Sequence, residues 1–304
     1  MRLDIRYRCA FEYAELVHES QNELRACPVS DARQTLLGYR VSTSPPARVL
    51  SFEDYWGTRV DAFGVREPHI FLEVTAEATV ETRPTPLPAR SPGLDALRDP
   101  AFVEAHWEHL QPTGRTEGDE RVGAEARAQV ALAGPECVGV ALAIHRRVGT
   151  LLRRVPGRRG VVPRLDEVLD RGEGTARDHA HLAVAMARSV GLPARYASGY
   201  LFEDDGGGGP GPQGPGDEDG DAARVQTHAW FEVAVPGLGW LGLDPAGHRA
   251  VGLRHVKIGH GRDHDDVPPL RGTYSGPPDA TLDVSVEMRR LAGAATALQH
   301  QAQQ

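Results

Sequence analysis

Three short segments of this chain carry residue types that could act together in catalysis. Residues 172–181 (GEGTARDHAH) place a glycine turn before a helical pattern, residues 226–232 (QTHAWFE) carry His228, and residues 239–245 (GWLGLDP) contain Asp244. The stretch from His228 to Asp244 is long enough for a hairpin that sets the carboxylate against the imidazole of the neighbouring strand. Such a carboxylate fixes the histidine tautomer and supports an imidazolium. We therefore expect these two side chains to be hydrogen-bonded.

Residue 176 lies on the predicted first turn of a helix, a place that suits a nucleophile. Thr175 and Asp178 have capping-box spacing, which predicts that a helix begins at Ala176. The first helical turn favours negative charge, because its N–H groups are free and the helix dipole is positive there. A cysteine in this place would be activated as a thiolate. The residue is alanine, which has no nucleophilic atom.

The sequence around these residues predicts an α+β domain. Apolar residues recur at helical spacing from 176 to 190, and Gly191 and Pro193 supply a stop. Strand-like segments follow at 195–201, 227–235, 240–243 and 281–286. The order of a helix and then strands favours a long helix packed on an antiparallel sheet. The acidic, Gly- and Pro-rich stretch at 203–221 cannot bury enough apolar surface to order itself, so we predict a mobile loop.

The first part of the chain has a different pattern. Residues 70–80 alternate between apolar and polar types, which is typical of a strand with one buried face, and residues 55–60 indicate a hairpin turn. We predict a β-sandwich-like module that ends at the proline-rich residues 82–88. The predicted division is an N-terminal β module at 1–88, a linker and connecting segment at 89–135, a core at 136–290 and a polar C-terminal tail at 291–304.

Taken in order, the three segments resemble the bacterial transglutaminase-like superfamily. The resemblance extends from about 165 to 274 and, through the family's N-terminal β region, over most of the chain. Its further motifs are residues 191–196 (GLPARY), 198–200 (SGY), 261–263 (GRD), 266–269 (DVPP), 19–25 (ESQNELR), 54–57 (DYWG) and 67–69 (EPH). The resemblance implies a papain-like core whose Cys, His and Asp fall on Ala176, His228 and Asp244. A second departure is His264, where the family usually has an aromatic residue.

Two explanations for Ala176 stay open: the natural protein has lost its nucleophile, or a cysteine was replaced by alanine. The first predicts a catalytically inactive or impaired homologue that binds a peptide in its cleft. The second predicts the inactivated form of a cysteine protease or transamidase. A third hypothesis is a noncovalent hydrolase in which His228 and Asp244 activate water. A cysteine at 176 would instead attack an amide carbonyl and form an acyl-enzyme.

The composition limits the classes of binding partner and the cellular compartment that we expect for this protein. The net charge of −8 over 304 residues argues against nucleic acid or an anionic membrane surface. No apolar run is long enough to span a bilayer and the charged N-terminus does not resemble a signal peptide, so we predict a cytoplasmic protein. We expect a peptide or protein ligand, and the oligomeric state stays open.

We predict neither a cofactor nor a metal. Cys9, Cys27 and Cys137 show no metal-binding or disulfide spacing, and buried small residues are their simplest interpretation. Further histidines lie on the helix and near the C-terminal end of the core. Those at 179 and 181 point to different helix faces. No spacing indicates that these histidines converge with the later ones, which are His255, His260 and His264.

Overall fold

The computed structural model describes residues 1–156, 163–203, 222–225, 227–276 and 280–291. Its helices are α1 Pro100–His106, α2 Glu120–Ala133, α3 Cys137–Leu151, α4 Leu165–Arg171 and α5 Ala176–Ser189. Its strands are β1 Arg2–Val17, β2 Glu19–Leu24, β3 Gln34–Ser44, β4 Val49–Glu53, β5 Arg59–Val65, β6 His69–Thr82, β7 Arg153–Arg154, β8 Glu173–Gly174, β9 Ala194–Leu201, β10 Ala222–Val225, β11 Thr227–Val235, β12 Gly239–Asp244, β13 Arg249–Ala250, β14 His255–Gly261, β15 Leu270–Ser275 and β16 Ala280–Arg290. The predicted mobile loop at 203–221 lies, except for its first residue, outside the described residues.

Two antiparallel sheets form the N-terminal β-sandwich. One has the strand order β10-β16-β1-β6-β3 and the other β15-β2-β5-β4. Alternate residues of β1 and β6 point into the space between the sheets, so Leu3, Ile5, Val74 and Val80 are buried in one cluster with Phe63 of the facing sheet. The alternation that predicted these strands follows from this one-sided burial. The predicted sandwich-like module is therefore confirmed.

The last two strands, β15 and β16, pair with strands of the sandwich and not with the core sheet. β16 pairs antiparallel with β1, with Leu3 opposite Arg290, and β15 pairs with β2. From the sequence, residues up to 290 were predicted to belong to the core, because a period-2 pattern predicts a strand without indicating its partner. The pairing corrects that assignment for these two strands.

Helices occupy much of the segment predicted as a linker. Asp99 and Asp119 accept backbone N–H groups at the start of α1 and α2, and Val122 and Ala126 of α2 are buried in the helical layer of the core. Aspartate before a helix is a readable N-cap signal. The helix α2 was nevertheless not predicted from the sequence, because it has only a narrow apolar stripe among charged residues. Residues 89–135 are therefore not a simple linker.

The core is a helical layer on a five-stranded antiparallel sheet with the order β13-β12-β11-β9-β14. Leu182, Ala183 and Met186 of α5 are buried together with Phe231 and Val233 of β11. The predicted α+β class, with a helix packed on an antiparallel sheet, is confirmed. None of the described helices is both long and apolar enough to cross a membrane.

A buried ion cluster joins the sandwich to β11. The carboxylate of Glu232 accepts hydrogen bonds from Lys257 Nζ at 2.6 Å, Arg195 Nε at 2.7 Å and Arg33 Nη2 at 2.9 Å. Burial alone raises the pKa of Glu232, but the three cations outweigh it and hold the pKa well below its usual value. Arg33 comes from the sandwich and the other two cations come from β14 and β9. The cluster therefore positions the strand that carries His228.

Candidate active site

A capping box sets the start of α5. The Thr175 hydroxyl oxygen accepts the Asp178 N–H, and Asp178 Oδ2 accepts the Thr175 N–H at 2.8 Å. Gly172 ends α4 with a φ of +61°, a conformation that glycine adopts without strain. Ala176 is the first residue of α5 and is partly buried. The predicted helix start is thus present, and its methyl group lies at the positive end of the helix dipole.

His228 and Asp244 are hydrogen-bonded, as the sequence predicts. Their strands β11 and β12 run antiparallel, with Phe231 opposite Leu243. Nε2 of His228 lies 2.8 Å from Oδ2 of Asp244. An ionised carboxylate only accepts hydrogen bonds, so Nε2 carries the proton and donates it. Both side chains are at least 98 % buried, which strengthens the interaction because water does not screen it.

Among the described residues, Asp244 receives three N–H donors. Besides His228, its Oδ1 accepts the Gly247 N–H at 2.9 Å and its Oδ2 lies 3.2 Å from Nε2 of His255. Burial alone raises the pKa of the carboxyl, but the hydrogen bonds from the two histidines outweigh it and hold the pKa well below its usual range. The backbone of Asp244 is also held, because Nε2 of His145 donates to its carbonyl oxygen at 3.0 Å.

The contact between His255 and Asp244 was not predicted from the sequence. In the sequence, His255 is one of several scattered histidines, and no spacing rule links it to Asp244. The contact arises because β14 lies across β9 from β11, with His255 opposite Leu201. Burial lowers the pKa of His255, so the ring is neutral near pH 7.

His228, Asp244 and His255 have the composition of a metal site, and their ligand atoms lie within 4.8 Å of one another. The hydrogen bonds do not fit a metal in this arrangement. Gly252 N–H donates to Nδ1 of His255 at 3.2 Å, so the neutral ring carries its proton on Nε2. A metal bound to Nε2 would displace that proton. Nδ1 could not take the proton up, because it already faces the Gly252 N–H donor. The predicted absence of a metal stays a prediction.

The histidines of α5 have partners in the structure. His179 contacts the carbonyl oxygens of Thr175 and Leu152, at 2.8 and 3.1 Å, and burial lowers its pKa although these two carbonyl contacts oppose the shift. His181 Nε2 accepts the backbone N–H of His264. These contacts fix helix and loop positions and do not bring the two residues to one metal.

His264 packs as an aromatic ring would. Its ring meets the Tyr196 ring edge-on at a centroid distance of 5.8 Å, and its Nδ1 lies 3.4 Å from the Tyr196 hydroxyl. Burial lowers the pKa of His264 to about 3, so the ring is neutral. A neutral imidazole therefore fills the place in which the sequence analysis expected an aromatic residue.

None of the three cysteines substitutes for a nucleophile at 176. All three are buried; Cys9 lies in β1, Cys137 begins α3, and Cys27 follows β2. Burial raises the pKa of both Cys27 and Cys137 to about 11, which keeps these thiols protonated and unreactive. The structure therefore contains an oriented imidazole and carboxylate, and the helix start at residue 176 carries no thiol.

Two family models match the chain. Residues 3–81 match the bacterial transglutaminase-like N-terminal region, and residues 137–245 match the transglutaminase-like superfamily. The second match includes the start of α5, His228 and Asp244.

Relatives of similar length match nearly the whole chain. The uncharacterized protein ML0607 of Mycobacterium leprae is 34% identical over 291 residues, which is 96% of this chain and 99% of that protein. The uncharacterized protein Rv2569c of Mycobacterium tuberculosis is 31% identical, over 94% of this chain and 92% of its own length. A crystal structure of a Cytophaga hutchinsonii protein, proposed to be a cysteine protease, aligns with a TM-score of 0.72 at 20% identity, over 96% of this chain and 91% of that chain. This likeness shows the fold.

Proposed function

The chain belongs to the transglutaminase-like superfamily and carries the bacterial form of its N-terminal region. On this premise we propose that it is a member without the catalytic thiol, and that it binds a peptide without acylation. The family resemblance puts the catalytic cysteine at Ala176, the proton-transfer histidine at His228 and its orienting acid at Asp244. The proposal rests chiefly on one observation. The buried His228–Asp244 hydrogen bond is intact, while the capped helix α5, which packs on the strand of His228, begins with a methyl group at residue 176.

The chemistry of this arrangement follows from what each group can do. A methyl carbon forms no bond to an amide carbonyl, so no acyl-enzyme is formed. His228 donates from Nε2 to Asp244, which leaves the lone pair on Nδ1 as its basic atom. An amide is the ligand we propose, because the parent reaction acts on an amide carbonyl.

Water activation is the second candidate function. The same Nδ1 lone pair could accept a proton from water, and the buried Asp244 carboxylate would stabilise the imidazolium that forms. This candidate predicts slow turnover that thiol reagents do not affect. The binding proposal predicts no turnover.

A peptide-retention experiment separates the two. The protein is incubated with a tryptic digest of casein, and bound and free peptides are separated by ultrafiltration and identified by mass spectrometry. Retained peptides of unchanged mass support the proposal. Deamidated or newly cleaved peptides support water activation, and a digest from which nothing is retained contradicts binding.

A matched pair of variants locates the binding site. Ala176→Trp adds a large ring at the start of α5 and is expected to reduce retention. Leu132→Trp adds the same ring on α2, where the leucine is 80% exposed, and is expected to leave retention unchanged. Equal retention by both variants would place binding elsewhere on the protein.

A further inference from the structure

We propose that His255 is a positioning residue, whose Nε2–H holds the Asp244 carboxylate in the orientation that serves His228. The inference rests on the proposed function, since it concerns the same His–Asp pair. The inference adds a third side chain, that of His255 on β14, to the His228–Asp244 pair. Sequence spacing does not connect this strand to the pair.

The tautomer of His255 is determined from both sides of its ring. A backbone N–H can only donate, and Gly252 N–H lies 3.2 Å from Nδ1, so Nδ1 carries a lone pair. An ionised carboxylate can only accept, and Oδ2 of Asp244 lies 3.2 Å from Nε2, so Nε2 carries the proton. Both contacts require the same neutral tautomer. The ring therefore acts as a fixed N–H donor.

The donor matters because it completes a clamp on the carboxylate. Gly247 N–H holds Oδ1, and His255 holds Oδ2. Rotation of the carboxylate about its Cβ–Cγ bond would break both contacts. Oδ2 has two lone pairs, so it accepts from His255 and His228 together without competition.

The clamp determines which way His228 faces. With Oδ2 held in place, the 2.8 Å hydrogen bond fixes Nε2 of His228 toward Asp244 and leaves Nδ1 as the basic atom. The fully buried Trp230 ring packs beside both imidazoles, with centroid distances of 5.4 Å to His255 and 6.5 Å to His228. Without His255, the Gly247 N–H is the one member of this clamp that remains.

Other charged or titratable groups also surround this pair. His145 on α3 donates to the carbonyl oxygen of Asp244. His179 on α5 interacts electrostatically with the Asp244 carboxylate, and burial and the charge of Arg249 on β13 lower the pKa of His255. None of them donates to a carboxylate oxygen in the hydrogen bonds that the structure describes. A change at His255 therefore removes a contact that these groups do not replace.

Two substitutions separate the roles of the two ring nitrogens. His255→Gln places an amide N–H near the position of Nε2 and keeps the bond to Asp244. His255→Asn places an amide oxygen near Nδ1, which keeps the Gly252 contact and loses the bond to Asp244. In a protein that also carries Ala176→Cys, we expect His255→Asn to slow alkylation of the introduced thiol by iodoacetamide about 10-fold. We expect His255→Gln to keep the rate. Thermal melts of both variants show whether each is folded.

The natural protein provides a second readout that needs no thiol. Long-range ¹H–¹⁵N spectra report which ring nitrogen carries the proton. We expect His255 to be protonated on Nε2 alone, and His228 to lose its single fixed tautomer in His255→Asn but not in His255→Gln. A His255 proton on Nδ1, or equal behaviour of the two variants, overturns the proposal. A thiol that stays unreactive while the tautomers are as expected counts against the proposed function and leaves the role of His255 supported.

Discussion

At the residue scale, the ionised state of Asp244 underlies both imidazole orientations. The carboxylate is fully buried and accepts N–H groups from His228, His255 and Gly247. A protonated Asp244 would present a donor to one of the two imidazoles in place of an acceptor. The pair therefore depends on a carboxyl group whose pKa stays below its usual value of 3.8.

This dependence predicts a pH effect on stability. Since the pKa of Asp244 is lower in the folded protein, the unfolded chain takes up this proton first as the pH falls, and stability is lost from about pH 4 downward. We expect Asp244→Asn to be less stable than the natural protein at pH 7 and to lose stability less steeply below pH 4. The two slopes should differ by about 1.4 kcal/mol per pH unit, the value for one proton. Urea unfolding at several pH values measures both.

A second aspartate controls for the loss of a negative charge. Asp283 lies on β16 with a side chain that is 73% exposed. We expect Asp283→Asn to follow the pH dependence of the natural protein. If Asp244→Asn also follows that pH dependence, the carboxyl group of Asp244 is not ionised in the folded protein.

The residues of the site differ in how far sequence predicts them. His228 and Asp244 lie on adjacent strands of one hairpin, so their contact follows from local pattern and spacing. His255 reaches the same carboxylate from β14, on the far side of β9, and strand order in a sheet cannot be read from alternation. Gly247 contributes only its backbone N–H, which carries no sequence signal.

At the element scale, α5 begins where its sequence predicts. The Thr175–Asp178 box satisfies N–H groups that would otherwise lack partners at a partly buried helix end. β11 and β12 likewise follow their predicted runs. The helix α2 was not predicted, because its amphipathic pattern is weak. The partners of β15 and β16 were not predicted either, because these strands pair with residues far away in the sequence.

The capping box gives a prediction at this scale. We expect Thr175→Ala to lower the free energy of unfolding by about 1 kcal/mol, because the Asp178 N–H loses its side-chain acceptor. Thr175→Ser keeps the hydroxyl and is expected to stay within a few tenths of a kcal/mol of the natural protein. Denaturant unfolding of the two variants measures the difference. Equal losses would mean that the threonine methyl group, and not the cap, stabilises this turn.

At the scale of the whole molecule, the chain does not divide by a single cut. The sandwich needs β10, β15 and β16, which follow or interrupt the core, and Arg33 of the sandwich reaches Glu232 on β11. The position of β11, and of His228 on it, therefore depends on both parts. The boundaries predicted from sequence follow changes of pattern along the chain. These changes do not show that a later strand pairs with the N-terminal sandwich. The cytoplasmic location and the peptide ligand stay predictions.

The central claim is that this site has the orienting pair and the helix start of its family and lacks only the thiol. The measurement that tests it most directly is the rate of alkylation of Ala176→Cys by iodoacetamide at pH 6, followed by mass spectrometry. Ser189→Cys is the matched control, since Ser189 is an exposed residue at the other end of α5.

We expect the thiol introduced at 176 to react on the order of 10-fold faster than the one introduced at 189, and before Cys9, Cys27 or Cys137. The helix N-terminus and the His228 imidazole lower its pKa below the roughly 8.5 of a free cysteine. Addition of His228→Ala should remove most of the difference. A thiol at 176 that reacts no faster than the control would contradict the claim.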